Sequence, residues 1–237
     1  MPEIALGEIS VAVVYKDIKN IYLSIYPPTG RVRISAPHSL DIDTLRIFAI
    51  SKLGWIRKQR TKIQQQDRES VRDYVERESH YYLGRRYLLN VWDTDSSPKV
   101  ELRHSTIEMH ARPNMSVGKK QHVLDDWYRQ RLKEMIPAVI LQWESKLNVN
   151  VSEFGVKKMK TRWGSCNQRA GRIWLNLELA KKPTRCLEYV IVHEMAHLRE
   201  KKHGERFAAI MDNALPMWRV HKEELNRFPL SHRGWKY

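Results

Sequence analysis

Cysteine is nearly absent: the 237 residues contain two, Cys166 and Cys186. Two thiols build no disulfide framework, and without a Cys-x-x-Cys pair the usual signature of a structural zinc knuckle is missing. Long apolar runs are missing too. No stretch reaches the about 18 apolar residues that mark a membrane-spanning helix. The N-terminus, Met-Pro-Glu-Ile-Ala-Leu-Gly-Glu, carries acids where a secretory leader needs bases. The expectation is a cytoplasmic protein with reduced thiols and no membrane attachment. No glycine-rich phosphate loop, internal repeat or low-complexity tract is evident. Acidic residues are in deficit, with 42 Lys+Arg against 27 Asp+Glu and a formal charge of +15. Such a surface attracts polyanions, so nucleic acid is a compatible partner. The basic stretches Arg57-Lys58-Gln59-Arg60-Thr61-Lys62 and Lys157-Lys158-Met159-Lys160 suit that role, although runs of this kind are more often solvated faces.

What is present reads as an α+β chain, β-rich in its N-terminal half. Ile21, Leu23 and Ile25 alternate with polar or aromatic neighbours, as do Val32 and Ile34, and Pro27-Pro28-Thr29-Gly30 between them is a hairpin loop signal. Asp41 or Asp43 is placed to cap one long helix running to about Gln66, with Leu45, Phe48, Leu53, Ile56 and Ile63 as its apolar stripe. A polar connection around 64–79 precedes strand candidates at 86–92 and 100–110. From Lys119 the period changes. Leu124, Tyr128, Leu132, Met135, Val139 and Trp143 mark an amphipathic helix that Pro137 should kink or interrupt. Short strands near 153–160 and 172–177 follow, then a helix starting near Pro183. Two domains are expected: 1–116, β-rich with one long helix, and 117–237, helical with a small sheet.

The segment from Leu187 to Leu198 is apolar almost all the way round, the mark of a helix buried on several sides. His193, Glu194 and His197 interrupt it, and burying them without partners costs several kcal/mol, on the order of a few each. Their spacing supplies the answer. Residues i and i+4 share a helix face, so both imidazoles reach one ion, while Glu194 is rotated off that line toward an attacking water. This is His-Glu-x-x-His. A catalytic zinc needs a third protein ligand and an open position. Glu200 lies on the same helix face but too far along the axis, and Glu205 is a poorer choice. His203 can swing back if the helix ends after His197, and Gly204 beside it gives the chain freedom. The apolar residues that follow, Phe207 among them, fit a packing helix.

Two blocks resemble the YgjP-like metallopeptidases, relatives of the SprT-like zinc proteases. One is Thr161-Arg162-Trp163-Gly164-Ser165-Cys166 with Ile173-Trp174-Leu175-Asn176; the other is His193-Glu194-Met195-Ala196-His197-Leu198-Arg199-Glu200 with His203 and Phe207. The resemblance implies a small zincin-like α+β fold, one zinc ion held by His193, His197 and His203, and Glu194 as catalytic acid/base. It also implies that the segment from Arg162 to Cys166 borders the cleft. Arg162, Trp163 and Gly164 are then substrate-binding candidates, with the Trp–Gly strand edge as a platform for an extended peptide. Cys166 is either a buried structural thiol, a reactive one or an extra metal ligand. Arg162, Tyr189 and His221 are candidates for stabilising charge in the transition state. The substrate expected is a peptide or unfolded protein. A nucleotide pyrophosphatase, or a nucleic-acid-associated protein with a zinc site, is the alternative.

Overall fold

Residues 2–26, 29–65, 72–159 and 162–227 are described by the computed structural model. Short strands open the chain. β1 (Glu3–Leu6) and β2 (Ile9–Lys16) form a hairpin whose two-residue turn places Gly7 at φ +63°, a region open to glycine at little cost. β3 (Tyr22–Tyr26) pairs antiparallel with β4 (Arg31–Pro37), and β4 runs parallel to β2, giving the order β1-β2-β4-β3. Val32, Ile34 and Ala36 of β4 point to the core, and Arg31, Arg33 and Ser35 do not.

The single long helix expected after Asp41 is two: α1 (Ile42–Ser51) and α2 (Leu53–Gln65). Asp41 does cap it, its carboxylate accepting the Thr44 N–H at 2.7 Å. The break falls at Lys52, whose N–H turns back to Ala49 and Ile50, and Gly54 just beyond lowers helix propensity. Leu45, Ala49 and Ile56 fill the core of this first unit with Ile4, Val11, Val13 and Ile34.

By their internal contacts the described residues fall into two compact units, one up to Glu69 and one from Ser70 to Phe228. The physical reason is the second sheet. β5 (Ser79–Tyr82), β6 (Arg85–Asp93), β7 (Lys99–Leu102) and β8 (Thr106–Ala111) take the order β5-β6-β8-β7 and pack with the helices that follow them. Tyr82 stacks among Trp127 and Tyr128, and the Tyr128 hydroxyl donates to the Tyr81 carbonyl at 2.7 Å. The β5–β6 turn, Leu83-Gly84 with both φ positive, donates its N–H groups to the carbonyls of Ala180 and Lys181. The strand candidate at 100–110 is thus a hairpin, turning at Arg103-His104-Ser105, and β5 is an addition to the sequence reading. The two four-stranded sheets share one topology, antiparallel–parallel–antiparallel with the same strand order and each followed by a helix. This repeat of architecture has no counterpart in visible sequence periodicity.

α3 (Val117–Leu147) is the spine of the second unit, about 46 Å long. It runs through Pro137 without interruption. Pro137 lies on the exposed side, where the carbonyl deprived of its donor meets water, while Leu132, Ile136 and Ile140 anchor the opposite side. Against that side pack β9 (Glu153–Lys157) and a 3-10 turn, Leu177–Lys181; β10 (Gly164–Asn167) and β11 (Arg172–Asn176) complete the sheet of β9 in the order β10-β11-β9. Then come α4 (Thr184–Ala196), α5 (Glu205–Ala214) and α6 (Trp218–Arg227). The fold is α+β, with most strands in the first half and the helices concentrated in the second.

Ile136 is fully buried on α3, whereas Leu141 is 73% exposed on the same helix. Ile136→Ala should cost about 2–5 kcal/mol in denaturant unfolding, and Leu141→Ala less than about 0.5 kcal/mol. Equal effects would contradict the placement of α3.

Candidate metal centre and active site

α4 is buried over most of its circumference by Cys186, Leu187, Val190, Ile191, Val192, Met195 and Ala196. Pro183 occupies its N-cap. The helix stops at Ala196: His197 is the C-cap, and the N–H groups of Leu198 and Arg199 bond back to Met195 and Ala196 in tightened turns. The chain then reverses through 199–204, and Gly204 caps α5.

That reversal brings His203 to the helix. His203 Nε2 lies 3.0 Å from His193 Nε2 and 3.0 Å from His197 Nε2. Three nitrogens each bound to one tetrahedral zinc at about 2.0–2.1 Å would lie roughly 3.3 Å apart, so the donor set fits such an ion with little movement. His197 Nδ1 lies 3.0 Å from the Glu200 carbonyl, an acceptor that fixes Nδ1 as the protonated nitrogen and frees Nε2 as a donor to metal. Glu200 thereby shapes the loop through its carbonyl, and its carboxylate takes the Lys202 N–H; neither it nor Glu205 joins the histidine group. Phe207, 3% exposed on α5, lies within 4.6–4.9 Å of all three imidazole rings, centroid to centroid. Read from periodicity as simple core, it is the apolar floor of the cluster.

Desolvation favours the neutral imidazole at His193 and His203. The His193 pKa is driven down to about 3 by desolvation, with His197, His203 and Lys222 adding to it, and His203 is lowered by desolvation, His197 and Lys222. Glu194, also buried, moves the other way, up to about 7, because desolvation outweighs the pull of Arg162. Its neighbour is backbone. Gly164, the first residue of β10, comes so close that a Cβ there would lie 2.5 Å from Glu194 Oε1 and 2.6 Å from its Cγ.

One side chain holds that strand in place. Asn176, 5% exposed at the end of β11, donates from Nδ2 to the carbonyls of Met159 (2.9 Å) and Arg162 (2.7 Å). Its Oδ1 accepts the N–H groups of Met159 and Glu178, and its own N–H bonds the Trp163 carbonyl at 2.8 Å. Gln168 ties the far end of β10 to α4 through the Leu198 carbonyl.

Arg162, Trp163 and Gly164 line a cleft of about 1140 Å³ together with the three histidines and Glu194. Tyr189 lines it too, one turn before His193, with its hydroxyl proton retained up to about 12 by burial and by Glu194. His221 is not part of the lining. Cys166 is, but its thiol is pushed up to about 11 by burial and the nearby Glu194, and it is not grouped with the three histidines. A thiol in that state matches the structural reading and not the reactive one.

Residues 19–228 match the family model described as the YgjP-like metallopeptidase domain. The chain belongs to the YgjP-like metallopeptidases. It is thus a peptidase hydrolase by family. No curated protein matches it. Among solved structures it is similar to the metallopeptidase zymogens of Pyrococcus abyssi abylysin and Methanocaldococcus jannaschii jannalysin. Abylysin is 16% identical, over 38% of this chain and 91% of that one, at a TM-score of 0.36. Jannalysin is 23% identical, over 38% and 92%, at 0.34.

In this YgjP-like chain His203→Ala should weaken zinc affinity by more than about 100-fold in competition with a chelator, since even outer partners of metal ligands are worth 10–100-fold. Unchanged affinity would remove His203 from the site. Cys166, protonated until about pH 11, should react with iodoacetamide at pH 7 at less than about a tenth of the rate of free cysteine, read by mass spectrometry. Rapid labelling would reinstate the reactive thiol.

Proposed function

We propose that this metallopeptidase hydrolyses peptide bonds in unfolded or extended protein segments, with one zinc ion held by His193, His197 and His203 and with Glu194 as general base. The observation that carries the reading is the convergence of three imidazole Nε2 atoms beside a buried carboxyl, in a cleft bordered by a strand edge. When bound, zinc supplies Lewis acidity, making water a better nucleophile near neutral pH and polarising the scissile carbonyl.

The chain's own residues do the rest. Glu194, held near pH 7 by its surroundings, accepts the proton of the attacking water and returns it to the leaving amine. Gly164, which has no Cβ, leaves room for the carboxyl against the β10 backbone. Among the described residues β10 pairs with β11 on one side only, so its other edge offers backbone groups to an extended peptide. Trp163 extends that platform. Tyr189 and Arg162 border the cleft and supply an O–H and N–H groups to charge developing on the carbonyl oxygen.

The basic stretches give a nucleic-acid role little support. Lys157 Nζ sits 4.3 Å from the Trp174 ring centroid and Lys158 pairs with Asp125. Lys160 lies outside the described residues. On α2, Arg57 and Lys58 are exposed, while Arg60 packs over Gly30.

Degradation of an unfolded protein by the zinc-loaded chain is the test. Glu194→Gln should lower the rate by about 10²–10⁴-fold with zinc content unchanged. Gly164→Ala, which displaces the same carboxyl, should also lose activity while keeping the metal. Intact protein in every reaction, with hydrolysis of nucleoside triphosphates by the wild type alone, would establish the pyrophosphatase instead.

A further inference from the structure

The rim of the cleft carries uncompensated positive charge. Arg162 precedes β10 and Arg169 follows it; Lys201 stands in the loop between α4 and α5, and Lys222 on α6. All four are exposed, and among the described residues none of them forms an ion pair. Their neighbours on the same unit behave differently: Arg172 pairs with Glu153, Arg185 with Glu224 and Arg219 with Asp212. The single carboxylate in the lining is Glu194, buried behind Gly164. A cleft with low-dielectric walls and one sign of charge at its rim concentrates ligands of the opposite sign.

We propose that the cleft selects peptide segments bearing Asp or Glu on both sides of the scissile bond. This rests on the peptidase reading above and names its substrate class. The placement of the cations favours carboxylate side chains over a phosphate group. A phosphate is gripped by donors converging on one point, commonly backbone N–H groups in a nest. Here the cations stand on three separate segments around the cleft, and two of them bracket the ends of the open β10 edge. A strand laid along β10 presents alternate side chains at separated positions, and its acids meet Arg162 toward one end and Arg169 toward the other, with Lys201 and Lys222 across the cleft.

The test uses the full, zinc-loaded chain and three internally quenched peptides of equal length, identical at the centre and flanked by Glu, Gln or Lys. The expected order of kcat/KM is Glu, then Gln, then Lys, with about tenfold between the first two. The advantage of Glu should shrink at about 0.5 M salt, where exposed charges are screened. In the double variant Arg169→Glu, Lys222→Glu the ratio of Glu to Gln rates should fall to one or invert. Cleavage of all three peptides at equal rates, or fastest cleavage of the Lys peptide, overturns the acidic preference and leaves the peptidase standing. No cleavage of any peptide overturns the peptidase reading, and this one with it. Inhibition of Glu-peptide cleavage by inorganic phosphate or single-stranded DNA far more strongly than by a poly-Glu peptide would assign the rim to phosphate and overturn the proposal.

Discussion

Helix α4 is packed on nearly every side by aliphatic residues, yet it carries a carboxyl and two imidazoles on its last two turns. Each buried polar group without a partner costs about 1–3 kcal/mol. The chain ends α4 at His197, folds 199–204 back on itself and sets a third imidazole against the first two, while His193 Nδ1 stays buried without a hydrogen-bond partner. The desolvation that is costly for stability is useful for chemistry. It disfavours the protonated forms of His193 and His203, leaving lone pairs for a cation, and raises the Glu194 carboxyl into the range where it exchanges a proton near neutrality.

Rigidity around this helix follows from the same arrangement. α3 lies along its apolar side, Phe207 closes the floor beneath the imidazoles, and β10 presses its backbone onto Glu194. β10 is short and at a sheet edge, so it would be the loose member. The hydrogen bonds of Asn176 hold its approach, and Gln168 secures its exit. The cleft is thus framed by elements far apart in sequence, and Asn176, which fixes one of them, is not part of its lining.

Spacing made part of this legible. His193, Glu194 and His197 announce themselves because a helix converts i, i+4 into one face, and His203 follows from a polar loop and a glycine placed after it. Asn176 appears in the sequence only as a residue of a family-like block, and Gly164 as part of a platform for substrate rather than as the backbone against Glu194. Their work lies in hydrogen bonds and a close approach across 14–30 positions, which no local pattern encodes. Phe207 looks like ordinary core because periodicity reports burial and not what a ring is buried against. In the fold, β2 escapes a period-two reading because Ala12 and Val13-Val14-Tyr15 are apolar in succession. β7 and β8 merge by eye because Arg103-His104-Ser105 holds neither Gly nor Pro. The division at Glu69/Ser70 depends on the β5–β6 turn bonding to a segment almost a hundred residues later.

The central claim is that one zinc ion sits on the three imidazoles with Glu194 beside it and uncoordinated. A zinc-soaked crystal measured on both sides of the zinc absorption edge tests it directly. The account predicts a single strong anomalous peak about 2.0–2.1 Å from the Nε2 atoms of His193, His197 and His203, with the Glu194 carboxylate farther away than a ligand. A peak on Glu101, Glu108 and His110 of β7 and β8 instead, or one that takes Glu194 or Cys166 as a ligand, would contradict it.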